Sequence, residues 1–345
     1  MRTLPGLVFL ALLLFAVPTS ADDGLMTYTL KPAVQKGQGY PQVNLKAGSD
    51  YRKIELICER SDGESVTLTS GSIGAGKVKT FDLKQPEGEF RWNCEARGWY
   101  GTAEGEYYDL PMSFAAFLGG GLTLEIPRGE IDRGARMLVA KADRTIVSAH
   151  VKVVGVEGPV FDADVEVMEN EPGEEILIEW EGPEEILRLD ITLTDKWGFY
   201  AFENIFPWSL EIPHEDVTFA TGSHAIAAAE MAKVDRAWSA HIKDKFEAYS
   251  QYVEVRLYIG GYTDTVGDRG DNQALSNRRA KAIAAAFRNK GFSGAVFYQG
   301  FGEDGLAVAT EDSVDEVANR RAVYILASRP PPPSSALPRA QWKSL

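Results

Sequence analysis

Between Leu25 and Pro213 no apolar pattern keeps a helical period for more than a turn or two. Instead, short stretches alternate or are rich in β-branched residues: Lys53–Cys58, Ser65–Thr69, Glu89–Cys94, Ile146–Val154, Glu175–Trp180 and Ile186–Thr194. Clusters of Gly, Pro, Asp and Asn separate them, as turns do. This texture predicts an all-β, sandwich-like region. A division near Arg128-Gly129 gives two modules, residues 22–128 and 129–213, with a single larger β domain as the alternative. After Pro213 the texture changes. Ser223 can cap a helix whose residues Met231, Val234, Trp238, Ile242, Phe246 and Tyr249 step by three and four. A strand follows in which Val253, Val255, Leu257 and Ile259 alternate with polar or aromatic neighbours. A turn-rich stretch, Gly260–Asp271, leads into a second helix that Gly291 stops. A strand near Ala295–Gln299, a short helix over Val314–Arg320 and a closing strand, Ala322–Leu326, complete an α/β (α+β) pattern. Beyond Ser328, Pro330–Pro333 and the serines that follow predict a disordered or polyproline tail, residues 329–345.

The start of the chain bears on where all this folds. Arg2 precedes an apolar run, Leu7–Val17, and Pro18-Thr19-Ser20-Ala21 supplies small residues before Asp22. The run is well short of the roughly 20 residues that span a bilayer, so it reads as a secretory signal, residues 1–21, rather than an anchor. No cysteine follows it, so no lipid anchor is expected. Export puts the two cysteines, Cys58 and Cys94, in an oxidising compartment and favours a disulfide over a pair of buried thiols.

The formal charge is −14, and its location matters. Residues 22–213 hold 19 Lys/Arg against 34 Asp/Glu, a balance of −15, whereas 214–328 hold 13 against 16. So acidic an N-terminal surface repels nucleic acid and anionic headgroups. Eight glutamates between Glu169 and Glu185 match no calcium loop and read as solvated turns around one strand. Gly71-Ser-Ile-Gly-Ala-Gly-Lys77 nearly spells a phosphate loop, but Val78 stands where Ser or Thr should ligate magnesium, and strand rather than helix follows. It reads as a hairpin turn. His150, His214, His224 and His241 lie scattered, without a second ligand at metal spacing. No cofactor, metal or catalytic set is expected.

One constellation remains: Gly260-Gly-Tyr-Thr-Asp264, Gly267, Asn272, Leu275-Ser276, Arg279-Ala280, Gly300-x-Gly302-Glu303 and Asn319-Arg320-Arg321. In order and spacing it resembles the OmpA-like domain family (OmpA, peptidoglycan-associated lipoprotein and MotB type) over residues 214–328. The resemblance implies a mixed βαβαββ-type sheet that holds the diaminopimelate residue of the peptidoglycan stem peptide. It assigns ligand contact to Asp264 and Arg279, and pocket support to Thr263, Asn272, Ser276 and Arg320. The chemistry fits: diaminopimelate ends in an ammonium and a carboxylate on one carbon, which a carboxylate and a planar guanidinium can read together. Two departures stand out. Tyr262 replaces the family's histidine, and Ala220-Thr221 replace an acidic or amide residue after Phe219 in the stretch read as the domain's first strand, Val217–Ser223.

The expected protein is a non-enzymatic envelope protein, periplasmic, outer-membrane-associated or wall-associated. It grips peptidoglycan and offers its β region to an unidentified partner. The alternatives are a transmembrane β-barrel over residues 22–213, or a wall-anchored enzyme. If the signal is read correctly, intact-mass analysis of protein purified from the envelope gives a chain starting at Asp22; a mass that retains Met1–Ala21 refutes it.

Overall fold

The structure, a computed structural model, describes residues 25–100, 106–127, 131–220, 222–334 and 337–345. The expected signal peptide and the Arg128-Gly129 boundary lie outside the described residues. The first β region builds two sheets. One orders Met26–Lys31, Gln42–Ala47 and Val78–Asp82. The other orders Ala33–Gln35, Tyr107–Gly119, Gly88–Trp99, Lys53–Arg60 and Ser65–Ser70. Leu45 and Phe81 of the first sheet share a core with Leu56 and Trp92 of the second. Trp92 is fully buried, and its indole N–H donates to Gln85 Oε1 at 2.9 Å, so burial leaves no polar atom stranded. Cys58 and Cys94 face each other in register across antiparallel strands and are disulfide-bonded. The bond spans 36 residues of chain, a loop closure of about 3–4 kcal/mol on the chain-entropy model.

One expectation changes here. Ser65–Ser70 and Val78–Asp82 belong to different sheets, so Gly71–Lys77 is a crossover between sheets and not a hairpin turn. Two strands, of 12 and 13 residues, are long enough to cross a bilayer. The sheets are nevertheless open paths with edges, whereas a membrane barrel must close to satisfy its backbone.

The second β region repeats the plan. Met137–Ala142 pairs with Ile131–Asp132, Leu124–Glu125 and Glu175–Glu179, while Ile146–Gly155 and Ile186–Asp195 form the centre of a four-stranded sheet. Leu138, Ile178, Val151 and Ile191 share its core. In the Glu-rich stretch Ile176 and Ile178 point inward and the glutamates of the strand point out, as period-two alternation demands. The two β regions meet at Arg144. Its guanidinium lies 5.1 Å from the Phe117 ring centre and 5.2 Å from that of Phe199, with Nε 3.3 Å from the buried Asp195 carboxylate. Phe117 comes from the first region and stacks on Trp197 of the second, with ring centres 5.7 Å apart.

The C-terminal domain is built on a five-stranded mixed sheet. Its strands are β1 (Ser209–Glu211), β2 (Arg256–Tyr262), β3 (Val296–Gly302), β4 (Ala322–Ala327) and β5 (Lys343–Ser344). The spatial order is β1-β4-β2-β3-β5, with β2 and β3 parallel and the other pairs antiparallel. Helix α1 (Ala228–Ala237) continues through a π-helical turn (Trp238–Ile242) into α2 (Lys243–Tyr249), and α3 (Arg269–Asn289) connects β2 to β3. Leu257 and Ile259 of β2 meet Phe287 of α3 and Ile242 of the π turn in one core.

Several expected boundaries move. The first strand of this sheet is Ser209–Glu211, ahead of His214. Among the described residues of 217–223 there is no strand; Val217 is an anchor of the helical core and Phe219 packs against it. The helix expected from Ser223 starts at Ala228, and Ser223 Oγ instead accepts from Ala225 N–H at 3.1 Å. Gly260 and Gly261 lie in β2 and not in a turn, and Val314–Arg320 forms only a 3-10 turn, Val317–Asn319.

The tail is the largest correction. Lys343–Ser344 pairs with β3, and Leu337 is buried with Tyr258, Phe301, Val323 and Ile325 on the sheet face away from the helices. Trp342 lies edge-on to Tyr258, ring centres 5.0 Å apart. The prolines that suggested disorder carry the chain to an apolar face that needs a cover. Trp342→Ala should lower stability by about 1–3 kcal/mol in urea unfolding, less than for a fully buried ring, and raise binding of a hydrophobic dye. An unchanged midpoint would mean that the tail only rests on the sheet.

Candidate ligand-binding site

The site lies where β2 ends, α3 begins and the loop before β4 returns. Two glycines bring these elements together. A Cβ on Gly261 would stand 2.7 Å from the Ser276 carbonyl oxygen, and one on Gly300 would stand 2.2 Å from Asn277 N. Without them α3 sits directly on the strands. Ser276 then reaches over, accepting from Gly302 N–H at 2.9 Å and donating to the Gln273 carbonyl at 3.0 Å. Asp268 caps α3, its carboxylate accepting from Gly270 N–H at 2.7 Å. Asn272 ties the turn after β2 by donating to Val266 O and Glu303 Oε2, both at 3.2 Å. Asn319, fully buried, holds the return loop through both polar groups of the Val308 backbone at 2.9 Å.

Within this frame Asp264 and Arg279 are each less than a tenth exposed. Arg279 donates from Nε to the Ser223 carbonyl at 3.0 Å and lies with its guanidinium carbon 5.0 Å from the Phe219 ring centre. With Asp216, Phe219, Tyr262, Arg320 and Arg321, among others, it lines a cavity of about 160 Å³. Burial pulls the Arg279 pKa down; nearby Asp264 opposes this and Arg320 adds to it. Asp264 is not bonded to Arg279. Its Oδ2 accepts from Arg320 Nη1 at 2.5 Å, and that nitrogen also donates to Asp315.

The expected supporting residues therefore divide. Only Arg320 faces the cavity. Ser276 and Asn272 are used up as braces, and Thr263, whose N–H donates to Gly302 O at 2.8 Å, keeps a buried hydroxyl without a partner. Tyr262 is 2% exposed, stacked on Phe301 and covered by the Arg321 guanidinium at 4.1 Å. It is a packing residue at the rim. Sequence reasoning missed Asp315, Thr265, Phe219 and the Ser223 carbonyl. Thr265 accepts from Val314 N–H and donates to Glu311 O, so it anchors the loop that carries Asp315 and Arg320. For Ser276→Ala we expect about 1–3 kcal/mol of lost stability, because Gly302 N–H keeps its burial and loses its acceptor. Thermal or urea unfolding measures it; a neutral result would remove Ser276 from the brace.

The model of the OmpA family matches residues 218–320. An outer-membrane lipoprotein, YfiB of Pseudomonas aeruginosa PAO1, is 35% identical over 72 residues, 21% of this chain and 43% of the lipoprotein. This chain thus spans less than half of that relative. Among solved structures, the OmpA-like domain of FopA1 from Francisella tularensis is 17% identical, with a TM-score of 0.26, covering 41% of this chain and 75% of that one. The peptidoglycan-associated lipoprotein of Burkholderia pseudomallei is 19% identical, with a TM-score of 0.25, covering 34% and 88%. Residues 218–320 are an OmpA-family domain.

Proposed function

We propose that this chain is a non-catalytic tether that binds peptidoglycan through Asp264 and Arg279 and ties its β-rich N-terminal region to the cell wall. The ligand is the diaminopimelate of the stem peptide, and the setting is the periplasmic side of the cell envelope. One observation carries the reading: the buried Arg279 lines a cavity and spends only its Nε on the protein backbone, with a second buried charge, the Asp264 carboxylate, outside the lining. A guanidinium so placed suits a carboxylate held in two parallel hydrogen bonds. The OmpA-family match over residues 218–320 supports peptidoglycan as the ligand class. In the same reading the chain divides into two β modules and a wall-binding domain that starts near Ser209. The acidic β modules face a partner that is not nucleic acid.

The test is co-sedimentation of the mature chain with purified sacculi. Arg279→Ala should weaken binding by roughly 2–5 kcal/mol, the range for truncating one partner of a buried charge pair. Arg279→Lys keeps the charge and loses the planar fork, so it too should bind more weakly than the parent. Circular dichroism checks that both variants remain folded. Folded variants that pellet with sacculi as the parent does would overturn the assignment.

A further inference from the structure

Arg320 stands between two carboxylates of unlike setting. The Asp264 side chain is 10% exposed and the Asp315 side chain is 74% exposed, yet the same Nη1 serves both. Arg320 lines the cavity and Asp264 does not. The place beside Asp264 that a ligand ammonium would need is therefore already held by a cation of the protein. A buried carboxylate cannot be left without a counter-charge except at high cost, whereas a solvated one gains or loses a partner almost freely. The loop around Asp315 is fixed on both sides: Thr265 holds Val314 N–H, and Asn319 is pinned to Val308.

Resting on the diaminopimelate reading above, we propose that Arg320 is an exchangeable stand-in for the ligand's ammonium and that Asp315 is the residue that receives it. In the free protein Arg320 neutralises Asp264. When a zwitterion enters, its ammonium takes over Asp264, and Arg320 stays with Asp315 at the cavity wall, beside Arg279. Two guanidiniums then face the ligand's carboxylate. The exchange makes the site selective. A ligand with an ammonium alone must expel Arg320 and offers the guanidiniums nothing, while a ligand with a carboxylate alone leaves Arg320 where it is. The zwitterion alone satisfies all four protein groups.

The experiment is calorimetric titration of the mature chain with three peptide amides, L-alanyl-γ-D-glutamyl-X-amide, in which X is meso-diaminopimelate, L-lysine or L-2-aminopimelate. Their distal ends carry a zwitterion, an ammonium and a carboxylate respectively. The parent should bind the diaminopimelate peptide best and the lysine peptide least. Asp315→Asn should weaken the diaminopimelate peptide by roughly three- to tenfold, the worth of one charge-assisted contact near the surface, and leave the aminopimelate peptide unchanged. Arg320→Gln should uncover Asp264 and strengthen the lysine peptide. If Asp315→Asn weakens both carboxylate-bearing peptides equally, its role is only structural and the exchange is refuted; so it is if Arg320→Gln binds the lysine peptide no better than the parent. A parent chain that binds none of the three removes the diaminopimelate reading itself, and the exchange with it.

Discussion

Helix α3 rests on peptide groups rather than on side chains where it crosses β2 and β3, because Gly261 and Gly300 leave no atoms in between. Much of the site follows from this contact. At that depth the Ser276 hydroxyl reaches Gly302 N–H, which sets the turn at the end of β3. Arg279 is three residues further along the helix, on the same face, and so is carried into the cavity next to the segment of Phe219 and Ser223. A methyl group at either glycine would lift the helix, and the two charged ends of the site would lose their spacing. Side chains could not replace the glycines, since the clash is with backbone atoms that cannot rotate away.

The pocket motif was legible because several of its residues serve nearby backbone: Asn272 across a turn, Ser276 over a glycine, Asn319 along the return loop. What could not be read was which polar groups remain open. The family resemblance implies pocket support for Thr263, Asn272, Ser276 and Arg320 alike; only packing shows that Asn272 and Ser276 spend their hydrogen bonds internally. Asp315 gives no signal at all, being one acidic residue among Glu311, Asp312 and Glu316. Its significance comes from Arg320, which reaches it across the loop.

The misplaced boundaries have a different cause. Ser209–Glu211 sits between Pro207 and Pro213, a pattern that looks like a linker, and three residues form a strand there only because β4 offers its edge. The packed tail did leave a trace. Ala322–Ala327 is apolar at every position, and all six residues are buried, which a sheet with one wet face does not require. Such a strand implies a cover on both sides. The residues that supply the second cover, Leu337 and Trp342, lie in a stretch whose proline content argued for disorder.

The junction before β1 has a mechanical consequence. In a wall tether, any pull between the bound domain and the β regions enters through the chain at β1, a three-residue edge strand that on its own would peel open easily. It is not left alone. Leu187 of the second β region is buried in the helical-face core, the Tyr252 hydroxyl donates to Glu157 O at 3.2 Å, and Trp208 lies edge-on to Tyr249, ring centres 5.6 Å apart. Load is thereby spread from a few backbone hydrogen bonds to a packed apolar seam, which must shear as a unit before the strand can unzip.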